Sequence, residues 1–226
     1  MTTNTPPLYF LFDMDGTLID SNPTHKEAYT QFFARYDIEL TDEDFKEHIS
    51  GKMNPEIIPH FFEQKGEEIN DERLQDLTTE KETLFQHLLA PKLAPVAGLA
   101  DFLQAAKQAQ IPMALATSAP MMNVDFILNG LHIRQFFREI VTAADVKQGK
   151  PAPDVFQVAA ERLGAKPNQC IVFEDSAKGV EAAQKARMKV VALSISHEPE
   201  ATDKADLAID DYVGLTVEKV RELSGE

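Results

Sequence analysis

An apolar run that ends in two aspartates is the feature that most constrains this chain. Residues 8–12 read Leu-Tyr-Phe-Leu-Phe and lead directly into Asp13-Met-Asp15-Gly-Thr. Alternate residues of a strand point to the same side, so a strand that continues this far presents both carboxylates to one small volume. Two carboxylates this close repel each other, and a hard divalent cation with oxygen ligands relieves the repulsion. The segment therefore predicts a strand of a buried sheet with a candidate magnesium site at its carboxyl end.

A calcium-binding loop is the alternative interpretation of Asp-x-Asp-Gly. Such a loop needs oxygen ligands at its fifth and twelfth positions, with a bidentate glutamate at the twelfth. Counted from Asp13, these positions hold Thr17 and Thr24. The missing glutamate and the apolar run directly before the pair favour the end of a sheet strand.

Composition limits the class of protein. With 226 residues, of which 43% are hydrophobic, the chain suits one large domain or a domain with a sizeable insertion. The formal net charge of -15 disfavours nucleic-acid and anionic-membrane partners, and no stretch is long and apolar enough for a membrane span. Cys170 is the only cysteine and the first seven residues lack the pattern of a secretory signal, so we expect a cytoplasmic protein.

Short apolar runs alternate with helical patterns along most of the chain. Apolar positions at three- and four-residue spacing predict helices between successive runs. Strands that alternate with helices predict an α/β fold with a parallel sheet covered on both faces, and ligands of such sheets bind at the carboxyl ends of the strands. After the first strand, the predicted strands are 112–116, 139–142, 170–173, 190–195 and 207–209, and the predicted helices are 99–109, 121–128, 155–163 and 180–186.

The interval between the first strand and the helix before the second breaks this alternation. From about residue 23 to residue 91 no run is a convincing strand. We therefore expect an inserted helical module, residues 22–91, and a sheet-containing unit formed by residues 1–21 and 92–226. Helical patterns in the insertion occupy 25–36, 42–49, 56–65 and 71–89.

Polar residues follow three further strands. Thr117 and Ser118 follow the second strand, where a hydroxyl and backbone amides would hold phosphate oxygens. Lys150 precedes a predicted helix, and Glu174 and Asp175 form a second acidic pair after the fourth strand. Each feature alone is equally typical of helix capping or of an exposed lysine. Together they predict a site for a cation and a phosphoryl group, with a carboxylate to spare as nucleophile.

The chain resembles the haloacid dehalogenase superfamily, in the subgroup whose helical cap follows the first strand. Within it, the chain is most similar to the β-phosphoglucomutase and phosphosugar phosphatase branch. Asp13-Met-Asp-Gly-Thr17 matches the first motif, Thr117 the second, Lys150 the third and Glu174-Asp175 the fourth. The resemblance covers nearly the whole chain and implies a Rossmann-like parallel sheet with an inserted α-helical cap domain over the strand ends.

The resemblance also implies a mechanism. Asp13 would attack phosphorus and form an aspartyl-phosphate, while Asp15 would protonate the leaving oxygen and then deprotonate the acceptor. Mg²⁺ would be bound by the Asp13 side chain, the Asp15 backbone carbonyl and Asp175, with Glu174 contributing directly or through water. An acid at position 15 separates this chemistry from dehalogenation, since a halide leaves without a proton.

Phosphate and cap contacts complete the implied site. Thr117 and the Ser118 amide would hold phosphate oxygens, and Lys150 would offset the negative charge that crowds there. His25 lies where the branch often has a histidine near the hinge, so it either couples cap closure to proton transfer or serves at a helix cap or the surface. Lys52 resembles a cap lysine of phosphonoacetaldehyde hydrolases, and it either contacts substrate or is exposed.

Three functions fit these residues, and we expect a monomer that acts on a small phosphorylated metabolite. The first is a Mg²⁺-dependent phosphatase, with a sugar phosphate as the expected substrate. The second is a β-phosphoglucomutase-type mutase, in which a sugar hydroxyl replaces water; segment 51–56 lacks the arginine that suits a distal phosphate, which favours the phosphatase. The third is a phospho-accepting signalling domain without turnover, which needs neither the helical insertion nor the second acid.

Overall fold

The computed structural model describes residues 7–49 and 52–225. Gly51 of the segment considered for the distal phosphate lies outside these residues, as do residues 1–6 of the segment from which a cytoplasmic location is expected. Among the described helices, none combines the length and the apolar character that crossing a membrane requires.

Six parallel strands form one sheet, and the α/β, Rossmann-like fold with helices on both faces is confirmed. The strands are β1 (Tyr9–Phe12), β2 (Met113–Ala116), β3 (Glu139–Val141), β4 (Cys170–Glu174), β5 (Lys189–Leu193) and β6 (Leu207–Ile209). Their order in the sheet is β3-β2-β1-β4-β5-β6, so β1 pairs with β2 on one side and with β4 on the other. Because the winding reverses at β1, the carboxyl ends of these three central strands border a crevice where ligands of such sheets bind.

Helices fill both the connections and the interval after β1. Between β1 and β2 lie α1 (Asn22–Ala34), α2 (Asp42–Asp44) with a π-helical continuation (Phe45–Ile49), α3 (Asn54–Gln64), α4 (Asp71–Leu89) and α5 (Leu99–Gln108). The remaining helices are α6 (Met121–Gly130), α7 (Asp154–Leu163), α8 (Ala177–Lys185), α9 (Pro199–Lys204) and α10 (Val217–Arg221). The sequence patterns did not predict the short α9 and α10. As expected, none of the described residues between α1 and α4 forms a strand.

The fifth strand is shorter than predicted at its carboxyl end. The apolar pattern extends to Ile195, but β5 ends at Leu193 and Ser194–Ser196 form a 3-10 turn. The turn carries Ser196 to a hydrogen bond with the side chain of Asp175 at the end of β4. A polar contact at the edge of the sheet thus takes the place of further strand pairing.

Alternate residues of the strands build two apolar clusters on opposite faces of the sheet. Phe10 and Phe12 belong to one cluster, and Leu11 between them belongs to the other. The Phe12 ring stacks on Phe173 of β4 with 4.4 Å between the centroids. This packing fixes the end of β1 against the end of β4, which is where the acidic residues follow.

A third apolar cluster lies among the helices of the insertion, and α4 takes part in two clusters. Phe33 of α1, Phe61 of α3 and Leu77 near the start of α4 pack together. Phe85 and Leu89, further along α4, instead pack in the cluster on one face of the sheet. The first half of α4 therefore packs inside the insertion, and its second half packs against the sheet.

Candidate active site

The residues predicted from the sequence surround one cavity of about 350 Å³ at the carboxyl ends of the central strands. They come from both the strand ends and the helical insertion. The nine that line it are Asp13, Asp15, His25, Lys52, Thr117, Ser118, Lys150, Glu174 and Asp175.

Lys150 joins the ends of two strands through its ammonium group. Its Nζ donates to Asp13 Oδ1 and to Glu174 Oε1, at 2.6 Å in each case. Asp13 directly follows β1, Glu174 is the last residue of β4, and all three side chains are buried. Burial opposes the charge of Lys150, but the two carboxylates outweigh it and hold the pKa of Lys150 above its ordinary value. The lysine is therefore a fixed cation between two acids.

Glu174 is held on its second oxygen by the start of α8. Oε2 accepts from the backbone N–H groups of Asp175 and Ser176, each at 2.7 Å, and from the Ser176 hydroxyl at 3.0 Å. A Cβ on Gly179 in the first turn of α8 would lie 1.8 Å from Glu174 Oε1. A glycine is therefore required for the carboxylate to lie against the helix, and Glu174 has a single fixed orientation.

Three carboxylates of this site could hold a metal ion. Oxygens of Asp13, Glu174 and Asp175 lie within 4.8 Å of one another, and all three residues are buried. Burial raises the pKa of Asp13 to about 7, a rise that Glu174 increases and Lys150 opposes. Burial and repulsion from Glu174 and Asp13 likewise raise the pKa of Asp175 well above its ordinary value. Oxygen donors with this surplus of negative charge suit a hard divalent cation.

Several residues that the sequence analysis did not single out orient Asp175. Asn22 Nδ2, at the start of α1, donates to Asp175 Oδ2 at 3.0 Å and to Ser196 Oγ at 2.7 Å, and the Ser196 hydroxyl donates to the same carboxylate oxygen. Gly16 approaches from the turn after β1 with φ of 75°, and a Cβ there would lie 1.9 Å from Asp175 Oδ2. The turn after β1, the start of α1 and the turn after β5 therefore converge on one carboxylate.

Thr117 and Ser118 lie at the end of β2, before the start of α6. Thr117 is buried, its backbone N–H donates to Val141 O at 3.0 Å, and its hydroxyl accepts from the Ala119 N–H at 3.1 Å. A hydroxyl that accepts in this way keeps its own hydrogen for another acceptor. The pair offers hydrogen-bond donors to an anion in the cavity, near the carboxylate of Asp13.

Asp15 faces the start of α1 and does not continue the strand, so the expected strand geometry is wrong at this position. Strand β1 ends at Phe12, and a turn closed by Leu18 N–H to Met14 O at 2.8 Å follows. Asp15 Oδ1 accepts from Ser21 Oγ at 2.6 Å and lies 3.1 Å from His25 Nε2. Burial by itself would raise the pKa of Asp15, but His25 and Ser21 bring it below its ordinary value. The two aspartates therefore meet different partners although they share one cavity.

His25, in α1, lies between Asp15 and Lys81 of α4. The ring stacks on Phe85 of α4 with 3.8 Å between centroids, and Nδ1 lies 3.1 Å from Lys81 Nζ. An ammonium only donates, so Nδ1 accepts from Lys81 and the ring proton lies on Nε2, toward Asp15. His25 thus connects Asp15 to a lysine of α4.

The sequence analysis missed Lys81 and its neighbour Glu82, which are 1% and 2% exposed. Lys81 Nζ lies 3.1 Å from Glu82 Oε1 and 4.0 Å from the centroid of the Tyr29 ring. Burial lowers the pKa of Lys81, and the charge of Glu82 opposes that shift. A signal was present: Leu77, Lys81, Phe85 and Leu89 follow one another at spacings of four. A lysine inside such an apolar stripe indicates a buried cation.

Lys52 is half-buried at the rim of the cavity. It precedes α3 in the insertion and lies near Lys178 of α8. Burial and the charge of Lys52 lower the pKa of Lys178. Glu198, which lines the cavity, opposes this shift, so the surroundings of Lys52 carry charges of both signs.

Known proteins are similar to this chain in sequence and in fold. Residues 10–193 match the sequence model of haloacid dehalogenase-like hydrolases. The chain is 36% identical to a phosphorylated carbohydrates phosphatase of Thermotoga maritima, over 78% of this chain and 80% of the relative. It is 32% identical to a fructose-1-phosphate phosphatase of Escherichia coli, over 80% of this chain and 93% of the relative.

A solved structure extends the likeness to the whole fold. The crystal structure of a β-phosphoglucomutase from Clostridium difficile superposes with a TM-score of 0.85 and 25% identity, covering 97% of this chain and 98% of that one. The family model extends from the second residue of β1 to the end of β5 and includes the residues that line the cavity from Asp13 to Asp175. The protein is therefore an enzyme that belongs to the haloacid dehalogenase-like hydrolase family.

Proposed function

We propose that the protein is a Mg²⁺-dependent phosphatase that hydrolyses a small phosphorylated metabolite, a sugar phosphate, through an aspartyl-phosphate on Asp13. The observation that carries this proposal is the buried ammonium of Lys150, which lies 2.6 Å from both Asp13 and Glu174 at the strand ends. Catalysis of phosphoryl transfer depends mainly on positioning and on stabilising negative charge. The relatives named for activity on fructose 1-phosphate and phosphorylated carbohydrates support this substrate class.

The acidic cluster supports magnesium as the metal. The Asp13 and Asp175 side chains and the Asp15 backbone carbonyl would hold the ion. Glu174, whose oxygens already accept from Lys150 and the start of α8, would contribute directly or through water. When bound, Mg²⁺ would neutralise carboxylate charge and the charge of the phosphoryl oxygens.

The chain's own residues divide the chemistry between two carboxylates. An Asp13 oxygen bonds to phosphorus as the ester oxygen leaves, and Asp15 gives that oxygen its proton. Water then attacks phosphorus, Asp15 takes the proton from water, and the bond to Asp13 breaks to release inorganic phosphate. Lys150 and Thr117 would stabilise the phosphoryl oxygens throughout.

The hydrogen bonds around Asp15 support the second of these roles. Ser21 and His25 both donate to Asp15 Oδ1, which stabilises the ionised carboxylate. We infer that this arrangement is the form that accepts a proton from water. Residues 22–91 would cover the strand ends as a cap, and Lys52 at the rim would contact the part of the substrate beyond the phosphate.

A β-phosphoglucomutase-type mutase is the second candidate, because the solved structure of such an enzyme covers nearly the whole chain. A mutase must hold the distal phosphate of a bisphosphate, a task for which a bidentate arginine is well suited. The described residues that line the cavity include no arginine, and their lysines outside the strand ends are Lys46, Lys52 and Lys81. This lining favours water over a sugar hydroxyl as acceptor.

Phosphate release from a panel of sugar phosphates, with Mg²⁺ or with a chelator, tests the proposal. We expect release that requires the metal and is abolished in Asp13→Asn. β-Glucose 1-phosphate should be followed in parallel for conversion to glucose 6-phosphate, with the bisphosphate as primer. Fast isomerisation without phosphate release would establish the mutase instead. Undiminished turnover in Asp13→Asn would refute the aspartyl-phosphate.

A further inference from the structure

Glu82 is a buried carboxylate that takes no part in the proposed chemistry, yet its two oxygens join three elements. Oε1 accepts from Asn54 Nδ2 at 2.6 Å and lies 3.1 Å from Lys81 Nζ. Oε2 accepts from Asn123 Nδ2 at 2.7 Å. Burial by itself would raise the pKa of Glu82, but Lys81, His25 and the two amides bring it below its ordinary value. Glu82 is therefore an ionised hub with donors on every side.

The first arm of this hub fixes the start of α3. Asn54 is the first residue of α3 and is buried, and its Oδ1 accepts from Tyr29 Oη of α1 at 2.5 Å. Lys52 and Met53, directly before Asn54, line the cavity. By holding Asn54, Glu82 fixes the side of the cavity that Lys52 and Met53 of the insertion line.

The second arm fixes α4 against α6 in the sheet-containing unit. Asn123 lies in the first turn of α6, just after the Thr117-Ser118 end of β2. Its Nδ2 donates to Glu82, and its Oδ1 accepts from Gln86 Nε2, one turn further along α4, at 3.0 Å. Two amide hydrogen bonds of opposite direction therefore set the register between the two helices.

The third arm reaches Asp15. Lys81, paired with Glu82, contacts His25 Nδ1, and His25 Nε2 contacts Asp15 Oδ1, at 3.1 Å in each case. A lysine this deeply buried keeps its charge only beside a fixed anion. Glu82 is the anion in contact with it, so the orientation of His25 toward Asp15 depends on Glu82.

We propose that Glu82 is a positioning residue that holds the proton-transfer group, the insertion's wall of the cavity and the start of α6 in one mutual arrangement. The consequence for turnover rests on the proposed phosphatase function. Among the described residues, no hydrogen bond joins Asp13 or Lys150 to Glu82 or its partners, so we expect nucleophilic attack to keep its geometry when Glu82 is changed. Proton transfer by Asp15 does not.

The test compares two substrates in Glu82→Gln, which keeps the shape of the side chain and removes its charge. For an alkyl phosphate, whose leaving group needs a proton, we expect kcat/KM to fall by about 10- to 100-fold. For p-nitrophenyl phosphate, whose leaving group needs little help, we expect a fall of about threefold or less. Proportional losses on both substrates would mean a structural role and would overturn the proposal, as would no loss on either.

Two further variants complete the comparison. In the double variant Glu82→Gln with Asn123→Asp, the amide at position 82 donates to the carboxylate at position 123, so the hydrogen bond between α4 and α6 is kept with its direction reversed. The carboxylate at position 123 can still accept from Gln86 Nε2. We expect this double variant to restore the contact between α4 and α6 but to keep the loss of alkyl phosphate turnover seen in Glu82→Gln, because Lys81 still lacks an anion in contact with it. Glu80→Gln is the matched control, since Glu80 lies on the same helix but pairs with Arg35 at 2.9 Å, outside the cavity. It should leave both substrates unaffected.

Hydrogen exchange of the full chain separates this inference from the phosphatase proposal. In Glu82→Gln we expect faster exchange in the first turns of α3 and α6, and in the double variant a return toward the original rates. Slow exchange retained in Glu82→Gln would overturn the positioning role whatever the activity. If the unchanged enzyme hydrolyses neither substrate, the phosphatase proposal fails, and the exchange data still decide the role of Glu82.

Discussion

Two charged clusters border the same cavity, and they differ in whether the protein's own groups neutralise their carboxylates. At the strand ends lie the carboxylates of Asp13, Glu174 and Asp175, and the ammonium of Lys150 pairs with the first two. Burial, together with repulsion between these carboxylates, raises the pKa of Asp13 to about 7 and the pKa of Asp175 well above its ordinary value.

The second cluster extends from Asp15 through His25 and Lys81 to Glu82. Each carboxylate here has hydrogen-bond donors, and these bring the pKa values of Asp15 and Glu82 below their ordinary values despite burial. The network is complete with the protein's own groups. Asp13 and Asp15, two residues apart, thus differ in how their charge is stabilised. Asp15 has hydrogen-bond donors from the protein, whereas Asp13 lies in a cluster that could bind a cation.

The paired cluster stabilises the folded protein by itself, whereas the acidic cluster is stabilised further when a cation binds. A paired network stabilises one arrangement and gains nothing from an added ion. An unbalanced cluster costs stability until a cation neutralises it. Perturbations of the two clusters should therefore respond differently to Mg²⁺, to pH and to the leaving group.

The largest expected effect is that of Asp13→Asn, which should lower phosphatase turnover by at least about 10⁴-fold, because the nucleophile is lost. The same change should stabilise the metal-free protein at pH 7, because it removes one anion from the unbalanced cluster. Phosphate release and urea denaturation in the presence of a chelator measure the two effects. A less stable Asp13→Asn protein would show that the cluster is balanced without metal.

Asp15→Asn should lower kcat/KM for alkyl phosphates by about 10²- to 10⁴-fold, since proton transfer is lost. The loss should be smaller for p-nitrophenyl phosphate, whose leaving group departs without a proton. Steady-state kinetics on both substrates test this. Equal losses would remove Asp15 from the acid role.

The two lysines provide a direct test of the comparison through stability. Lys150→Met and Lys81→Met should each destabilise the protein by about 3 kcal/mol in a chelator, because each leaves buried carboxylates without their cation. Saturating Mg²⁺ should restore much of the loss in Lys150→Met and none of it in Lys81→Met. Urea denaturation with and without Mg²⁺ measures the free energy of unfolding. Equal rescue of both variants would contradict the division into two clusters.

A smaller effect concerns pH and the metal-free protein. The pKa of Asp13 rises from 3.8 to about 7 on folding, so between these values the native state binds more protons than the unfolded chain. Its contribution to stability is therefore lost as pH rises, by about 2 kcal/mol between pH 5 and pH 7. Urea denaturation across this range in a chelator should show the decline, and Asp13→Asn should show a weaker one. If the free energy of unfolding instead rose with pH over this range, the pKa of Asp13 would not be raised in the folded protein.

Local sequence patterns were sufficient for the sheet and for the residues that follow its strands. The apolar runs before Asp13, Thr117 and Glu174 predicted β1, β2 and β4, and parallel strands necessarily bring their carboxyl ends to one edge. The alternation of strands with helices predicted the α/β fold in the same way. These inferences need only residues that are close in sequence.

Asp15 and His25 of the second cluster were singled out from the sequence, but Lys81 and Glu82 were not, because the contacts of these two residues form through the packing of separate helices. Glu82 and Asn123 are 41 residues apart, and nothing near either residue indicates the other. The alternation of strand side chains also gave the wrong orientation for Asp15, because β1 ends at Phe12 and the following turn directs Asp15 toward α1. Of the two residues that were missed, Lys81 could have been noticed, because it lies inside the apolar stripe from Leu77 to Leu89.

The division of α4 between two apolar clusters determines where this protein could exchange its insertion with that of a relative. A recombination junction at residue 91 would transfer Lys81, Glu82 and Phe85 with the insertion and leave Asn123 behind, so the incoming helix would meet an unmatched α6. A junction within α4, between Leu77 and Lys81, would keep Lys81, Glu82 and Phe85 with Asn123, but it would transfer His25 and Asn54, which contact Lys81 and Glu82. At either junction, an incoming insertion must therefore bring residues that match the partners left behind, which limits the relatives that could donate one.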